Sequence, residues 1–153
     1  MIERERRFLV TTVPDELPTP HHIEQGYLTT RPASIRVRRQ DGTYTLTIKT
    51  GSGLRRVEIE RDLDAEEFDA LWPVTTALRI EKRRHVIALG AGHFAELDLF
   101  DGELAGRRIV EVEFDSDVAA ADFEPPDWFG REVTDDGRYS NASLATSGWP
   151  DES

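Results

Sequence analysis

The chain opens with charged side chains at a spacing that could bind a metal ion. The segment IERERRFLV places Glu3, Glu5 and Arg7 two residues apart, so in a β-strand these three side chains point to one face. The two carboxylates repel each other at positions where a strand usually carries apolar residues. Carboxylate oxygens are preferred ligands of hard cations such as Mg²⁺. A bound cation would explain why the two carboxylates are aligned.

Later segments repeat this alternation and sort the charges by sign. Basic side chains recur in steps of two around Val37 and at Lys82 and Arg84, whereas acidic ones recur around Leu97 and Val112. Like charges in such a strand lie about 7 Å apart, and their repulsion is roughly 2 kcal/mol per pair at an effective dielectric constant near 20. The alternative interpretation is an ordinary antiparallel sheet with a wet outer face. Because a solvated face would not need charges sorted by sign, the pattern favours a charged inner surface.

Short strands separated by turns must position these residues. Asp41-Gly42, Gly90-Ala91-Gly92 and Asp101-Gly102 are typical turn sequences. We predict about eight strands, at 2–11, 21–30, 34–40, 43–50, 54–63, 78–89, 93–100 and 107–115. One short helix is predicted at DAEEFDALWP, capped by Asp64 and stopped by Pro73. This pattern indicates a mainly β fold, either an antiparallel sandwich or a closed barrel.

After Pro125-Pro126 the composition of the chain changes. Trp128, Phe129, Tyr139 and Leu144 are suited to packing a mixed loop and short helices against the sheet. If the charged face of the barrel points inward, the outward apolar face must be covered by the helix and by this carboxy-terminal segment.

Composition limits the class of protein. The 153 residues, without cysteine and with a formal net charge of -11, predict a single domain over 1–150, with 151–153 as a frayed tail. The acidic balance argues against a general nucleic-acid surface, and the absence of a long apolar run argues against a membrane span. We expect a cytoplasmic protein.

Two opposed charged surfaces inside a barrel indicate a ligand class. A basic surface can hold a polyanion while an acidic surface binds divalent cations that bridge to it. A linear triphosphate or polyphosphate fits that description. Mg²⁺ bound in this way could also present a water molecule for attack on phosphorus.

The motifs that carry these charges resemble a known family. IERERRFLV is similar to the E-x-E-x-K signature of CYTH domains, the triphosphate tunnel metalloenzymes. Further segments match in order, namely QGYL, RVR, LTIK, RVEIE, IEKRR, ELDLF, EVEFD, DWFGREVT and RYSN. The resemblance is greatest to short bacterial members that hydrolyse inorganic triphosphate. It implies a mainly β (α+β) fold, an eight-stranded antiparallel closed tunnel barrel with a few short helices packed outside.

The resemblance also implies roles for individual residues. Two ions of Mg²⁺ or Mn²⁺ would be held by Glu3, Glu5, Asp98, Glu111 and Glu113. Phosphate oxygens of tripolyphosphate would be held by Arg36, Arg38, Lys49, Arg56, Lys82 and Arg84. Glu5, Arg7 and Tyr27 would act at the scissile phosphate. For Glu58, Glu60, Glu81 and Glu96 we favour ion pairs that orient the basic residues over metal ligation.

One departure from the family pattern concerns catalysis. The signature usually ends in Lys, and this chain has Arg7, which keeps the positive charge but does not readily give up a proton. Tyr27 is expected beside it, either orienting the phosphate or lining the barrel as a ring bonded through its hydroxyl. The rival hypotheses are an enzyme for organic triphosphates, by hydrolysis or by cyclisation to cyclic AMP, and a non-catalytic polyphosphate-binding module. The protein is expected to be a monomer or a homodimer.

Overall fold

The structure, a computed structural model, describes residues 1–151. Residues 152 and 153 of the predicted frayed tail lie outside the described residues. The strands are β1 Ile2–Val10, β2 His21–Thr29, β3 Ser34–Gln40, β4 Thr43–Ser52, β5 Arg55–Leu63, β6 Arg79–Gly90, β7 His93–Phe100, β8 Arg108–Glu113 and β9 Phe129–Glu132. The helices are α1 Ala65–Leu71, α2 Asp117–Asp122 and α3 Asn141–Ser147. None of the helices in this part of the chain has the length and apolar character needed to cross a bilayer.

The first eight strands form a closed antiparallel barrel, which confirms the predicted fold. They follow the order β5-β4-β3-β2-β6-β7-β8-β1, and β1 closes the ring by pairing with β5. In that closing pair Ile2 lies opposite Val57 and Arg4 lies opposite Arg55. The short strand β9, which the sequence did not predict, pairs with the end of β1. At four residues, β9 is too short for alternation to reveal it.

The predicted helix is present with the predicted cap. Asp64 accepts a hydrogen bond from the Glu67 amide, and the Glu67 side chain accepts one from the Asp64 amide, which forms a capping box. Phe68 is the buried residue of α1 and packs between the rings of Tyr44 and Trp72. After α1 the chain continues as a 3-10 turn that contains Pro73.

Most of the outward apolar surface is covered as the sequence predicts. Phe8, Leu97 and Val110 belong to a buried cluster that includes Phe129, and Trp128 packs against it. One area differs from the expectation. Ile2, Val57 and Ile59, on the outer surface around the β1–β5 seam, are 52%, 47% and 44% exposed, so neither α1 nor the carboxy-terminal segment covers them.

The carboxy-terminal segment also closes one end of the barrel. Tyr139 and Leu144 are buried against Ile80, Phe100 and Ile109. Ile80 lies two residues before Lys82, so it shares the inward face of β6 with that lysine. The barrel therefore has an apolar floor at the end where α3 lies, and the charged residues stand above this floor.

Candidate active site

The six predicted phosphate-binding residues come together inside the barrel. This basic wall consists of Arg36, Arg38, Lys49, Arg56, Lys82 and Arg84, supplied by β3, β4, β5 and β6. Three of its members, together with Arg7 and Tyr27, line a cavity of about 210 Å³. The cavity is bordered by the β2–β3 loop, the turn at 51–53 and the start of α3. The sequence prediction of a shared basic surface therefore agrees with the fold.

Several buried polar atoms of this surface have no protein partner. Nε of Arg36, Nε of Arg56 and the hydroxyl of Thr47 are buried without a hydrogen bond among the described residues. Thr47 lies directly opposite Arg36 in the β3–β4 pair and is only 1% exposed. Since buried polar groups are normally hydrogen-bonded, these donors suit a ligand rich in acceptor oxygens.

The arginines are crowded in a way that favours anion binding. Arg38 donates from Nε and Nη2 to the side-chain oxygen of Gln25, at 3.0 and 2.7 Å. Burial, with the nearby charges of Arg36 and Arg84, lowers the pKa of Arg38 to about 9. Cations held together in this way repel each other, and a bound phosphate chain would remove that repulsion.

Asp98 lies within the basic wall. Lys82 Nζ is 2.6 Å from one carboxylate oxygen of Asp98, and Arg84 donates to both oxygens at 2.8 and 3.0 Å. Burial alone would raise the pKa of Asp98, but Arg84 and Lys82 hold it below its usual value. Burial, with Arg84 and Arg38, lowers the pKa of Lys82 to about 7 despite the pull of Asp98. In this arrangement Asp98 orients two cations, and its role as a metal ligand stays a prediction.

Three of the predicted metal ligands form an acidic cluster. Each of Glu3, Glu5 and Glu113 offers an oxygen, and these atoms lie within 4.8 Å of one another. Burial and the neighbouring Glu111 raise the pKa of Glu5 to about 8, while burial and the charges of Glu96 and Glu3 raise that of Glu113 to about 7. Three carboxylates that converge in a partly buried place offer the oxygen ligands that a hard divalent ion prefers, so the donor set fits such an ion.

Arg7 joins the acidic cluster to the basic wall. Its Nη2 lies 3.3 Å from Glu5 and 3.0 Å from Glu111, and its Nη1 donates to the backbone carbonyl of Tyr139. Burial alone would raise the pKa of Glu111, but Arg7, a hydrogen bond with Glu5 and the charges of Arg84 and Lys82 hold it well below its usual range. Glu111 is thus an ion-pair partner of Arg7 here, and its role as a metal ligand stays a prediction.

Two of the other acidic residues pair with the basic wall, as we expected. Glu58 lies 3.6 Å from Lys49, and Glu96 lies 2.8 Å from Arg84. Lys49 also donates to Glu3 at 3.1 Å. Glu81 instead lies 2.9 Å from His22.

Sequence reasoning missed two groups that contact predicted catalytic residues. The Tyr139 carbonyl binds Arg7, and no side-chain pattern could have revealed a backbone acceptor. Gln25 is fully buried, and its Nε2 lies 3.2 Å from the hydroxyl of Tyr27. Gln25 lies two residues before Tyr27 on the same face of β2, and this spacing could have predicted that the two side chains are neighbours.

Comparisons with known proteins agree with this geometry. The model of the CYTH domain family matches residues 1–146. An inorganic triphosphatase of Nitrosomonas europaea is 49% identical over 149 residues, which cover 96% of this chain and 99% of the relative. An inorganic triphosphatase of Acetivibrio thermocellus is 37% identical over 123 residues, 78% of this chain and 77% of the relative. A crystal structure of an inorganic triphosphatase superposes with a TM-score of 0.72 at 44% identity, covering 97% of each chain.

Proposed function

Because the chain belongs to the CYTH domain family, we propose that it is an inorganic triphosphatase that hydrolyses tripolyphosphate to pyrophosphate and phosphate with the help of divalent cations. The observation that carries this proposal is the convergence of a basic wall and an acidic cluster inside one barrel. Arg7 lies between them, 3.3 Å from Glu5. Two relatives of this chain that are named inorganic triphosphatase support the same activity.

The cavity favours an inorganic substrate over an organic triphosphate. Among the described residues that line it, Tyr27 carries the single aromatic ring, and most of the others are basic, small or hydroxyl-bearing. A nucleobase or thiamine ring is usually held by stacking on aromatic side chains. A linear phosphate chain needs only donors and positive charge, which Arg36, Lys49 and Arg56 supply.

The residues present fit Mg²⁺ or Mn²⁺, and we propose two ions. Glu3, Glu5 and Glu113 would hold one ion through carboxylate oxygens. Glu111 and Asp98 remain the candidates for further ligands. When bound, such ions neutralise negative charge on the phosphate chain and activate water for attack on phosphorus.

The chain's own residues would position the substrate and screen its charge. In the proposed hydrolysis, a water oxygen bonds to a terminal phosphorus, the bond to the bridging oxygen breaks, and pyrophosphate leaves. Charge on the phosphoryl oxygens would be matched by the basic wall, in which Gln25 holds Arg38 and Asp98 holds Arg84 before the substrate arrives. Arg7 stays charged throughout, so it serves as an electrostatic anchor and does not take the proton of water.

We further propose how the protein occurs in the cell. Residues 1–150 would form one domain, and the protein would act in the cytoplasm as a monomer or homodimer. With a net charge of -11, its general surface would repel nucleic acid, and we expect no association with a membrane.

Substrate competition tests the proposed activity. Phosphate release would be measured for tripolyphosphate, ATP and thiamine triphosphate, with Mg²⁺ and then with Mn²⁺. We expect kcat/KM to be highest for tripolyphosphate. A preference for ATP or thiamine triphosphate would reject the inorganic substrate, and tight binding of tripolyphosphate without any product would identify a binding module.

A further inference from the structure

Gln25 connects the basic wall to Tyr27. Its side chain is fully buried on β2. At one end its oxygen accepts from Arg38 Nε and Nη2 at 3.0 and 2.7 Å. At the other end its nitrogen lies 3.2 Å from the hydroxyl oxygen of Tyr27. No charge pattern singles out this residue, since it is neutral and lies between two arginine-bearing strands.

Chemistry fixes the orientation of this amide. A guanidinium group has donors and no acceptor, so the atom of Gln25 that faces Arg38 must be the oxygen. The amide nitrogen must then face Tyr27, and it can only donate. The hydroxyl oxygen of Tyr27 is therefore the acceptor in this hydrogen bond.

The Tyr27 hydroxyl accepts from Gln25 and still has its own proton with which to donate a second hydrogen bond. Tyr27 lines the cavity beside Arg7 and Arg36, which are both donors and cannot accept that proton. Within the described part of the chain, the hydrogen bond from Gln25 is the one that the Tyr27 hydroxyl makes. The proton is thus left to point into the cavity, where a phosphate oxygen would be an acceptor.

We propose that Gln25 is a positioning residue that commits the Tyr27 hydroxyl to donate a hydrogen bond to the phosphate chain. This proposal rests on the proposed function, because the acceptor is an oxygen of the triphosphate. Gln25 does not touch the substrate, and Tyr27 does. Tyr27 accordingly acts as a fixed donor at the phosphate, which suits a site whose neighbouring Arg7 is permanently charged.

Gln25→Glu directly tests the direction of the hydrogen bond between residue 25 and Tyr27. The carboxylate keeps the size of the side chain and its bonds to Arg38, but it accepts where the amide donates. The Tyr27 proton then turns toward residue 25 and away from the cavity. We expect kcat/KM for tripolyphosphate to fall by about ten-fold to a hundred-fold, the effect of losing one hydrogen bond to a charged group.

A double-mutant cycle separates this role from a general disturbance. Tyr27→Phe should lower kcat/KM by a similar factor in the wild type and have little further effect in the Gln25→Glu background. Gln40→Glu is the matched control, because Gln40 lies two residues beyond Arg38 on the same face of β3. In that control the effect of Tyr27→Phe should keep its wild-type size.

A second readout keeps the test independent of turnover. Calorimetric binding of tripolyphosphate without metal should show the same non-additivity between positions 25 and 27. Gln25→Met, which fills the space without either hydrogen bond, replaces Gln25→Glu if thermal melting shows that the latter does not fold. Fully additive effects, or wild-type affinity in Gln25→Glu, would overturn the role of Gln25. A wild type that binds tripolyphosphate but releases no phosphate would instead reject the proposed function. The double-mutant cycle on tripolyphosphate affinity would then still test the role of Gln25.

Discussion

Arg7→Lys would show whether the contacts of Arg7 require a guanidinium group or can be made equally well by a lysine. Arg7 is 5% exposed, and its two terminal nitrogens contact Glu5, Glu111 and the Tyr139 carbonyl. A lysine ammonium is one compact group, so it cannot span carboxylates on one side and a carbonyl on the other. At least one charged hydrogen bond is lost, which corresponds to about 1.5 to 3 kcal/mol of stability.

The loss is measurable in urea and by thermal melting. For a chain of this size, each kcal/mol shifts Tm by about 2 to 4 °C, so the expected decrease is roughly 3 to 12 °C. Arg4→Lys is the matched control on the same strand, because Arg4 makes a partly exposed contact of 2.7 Å with Asp117. Its change should stay below about 1 kcal/mol. An Arg7→Lys protein as stable as the wild type would refute the three-way anchoring of Arg7.

Three further predictions concern other parts of the barrel. The pKa values of Glu5, about 8, and Glu113, about 7, lie above the unfolded value of 4.5. Metal-free stability in urea should therefore fall as pH rises from about 4.5 to 7, and Glu113→Gln should flatten this slope. Above about pH 7 the lowered pKa of Lys82 acts in the opposite direction. Thr47→Val removes a buried hydroxyl that has no partner, and the free energy of unfolding should rise by about 1 kcal/mol. Gly26→Ala would place a Cβ 2.3 Å from the Thr75 hydroxyl oxygen, and thermal melting should show a loss of about 1 to 3 kcal/mol.

The barrel itself could be predicted because its strands alternate strongly. Between turn sequences such as Asp41-Gly42, nearly every strand carries charges on one face and apolar residues on the other, which defines both its extent and its orientation. The exception is β2, whose inward face carries the neutral side chains of Gln25 and Tyr27. The helix α1 was predictable because its capping residues Asp64 and Glu67 are local. The strand β9 was not, since its existence depends on the free edge of β1 to which it pairs.

The charged residues of the site could be identified from the sequence, but their partners could not. Alternation places Asp98 and Glu111 on the inner face, yet only the register of the barrel puts Asp98 against Lys82 and Glu111 against Arg7. Both contacts join residues on different strands. The Tyr139 carbonyl reaches Arg7 from 132 residues away in the chain, a distance that no local pattern covers.

The exposed apolar residues at the seam show a similar limit. Alternation correctly predicts that Val57 and Ile59 face outward. It does not say which part of the outer surface the helices cover, because that depends on where the chain crosses the barrel after Pro125-Pro126. Ile59 consequently remains 44% exposed.

The central claim is that the acidic cluster and the basic wall act together on a phosphate chain. The most direct test measures phosphate release from tripolyphosphate while Mg²⁺ or Mn²⁺ is titrated, for the wild type and for Glu5→Gln. Release should require the metal, and Glu5→Gln should abolish it while the variant remains folded. Unchanged release by Glu5→Gln, or no release by the wild type with either metal across mildly to strongly alkaline pH, would contradict it.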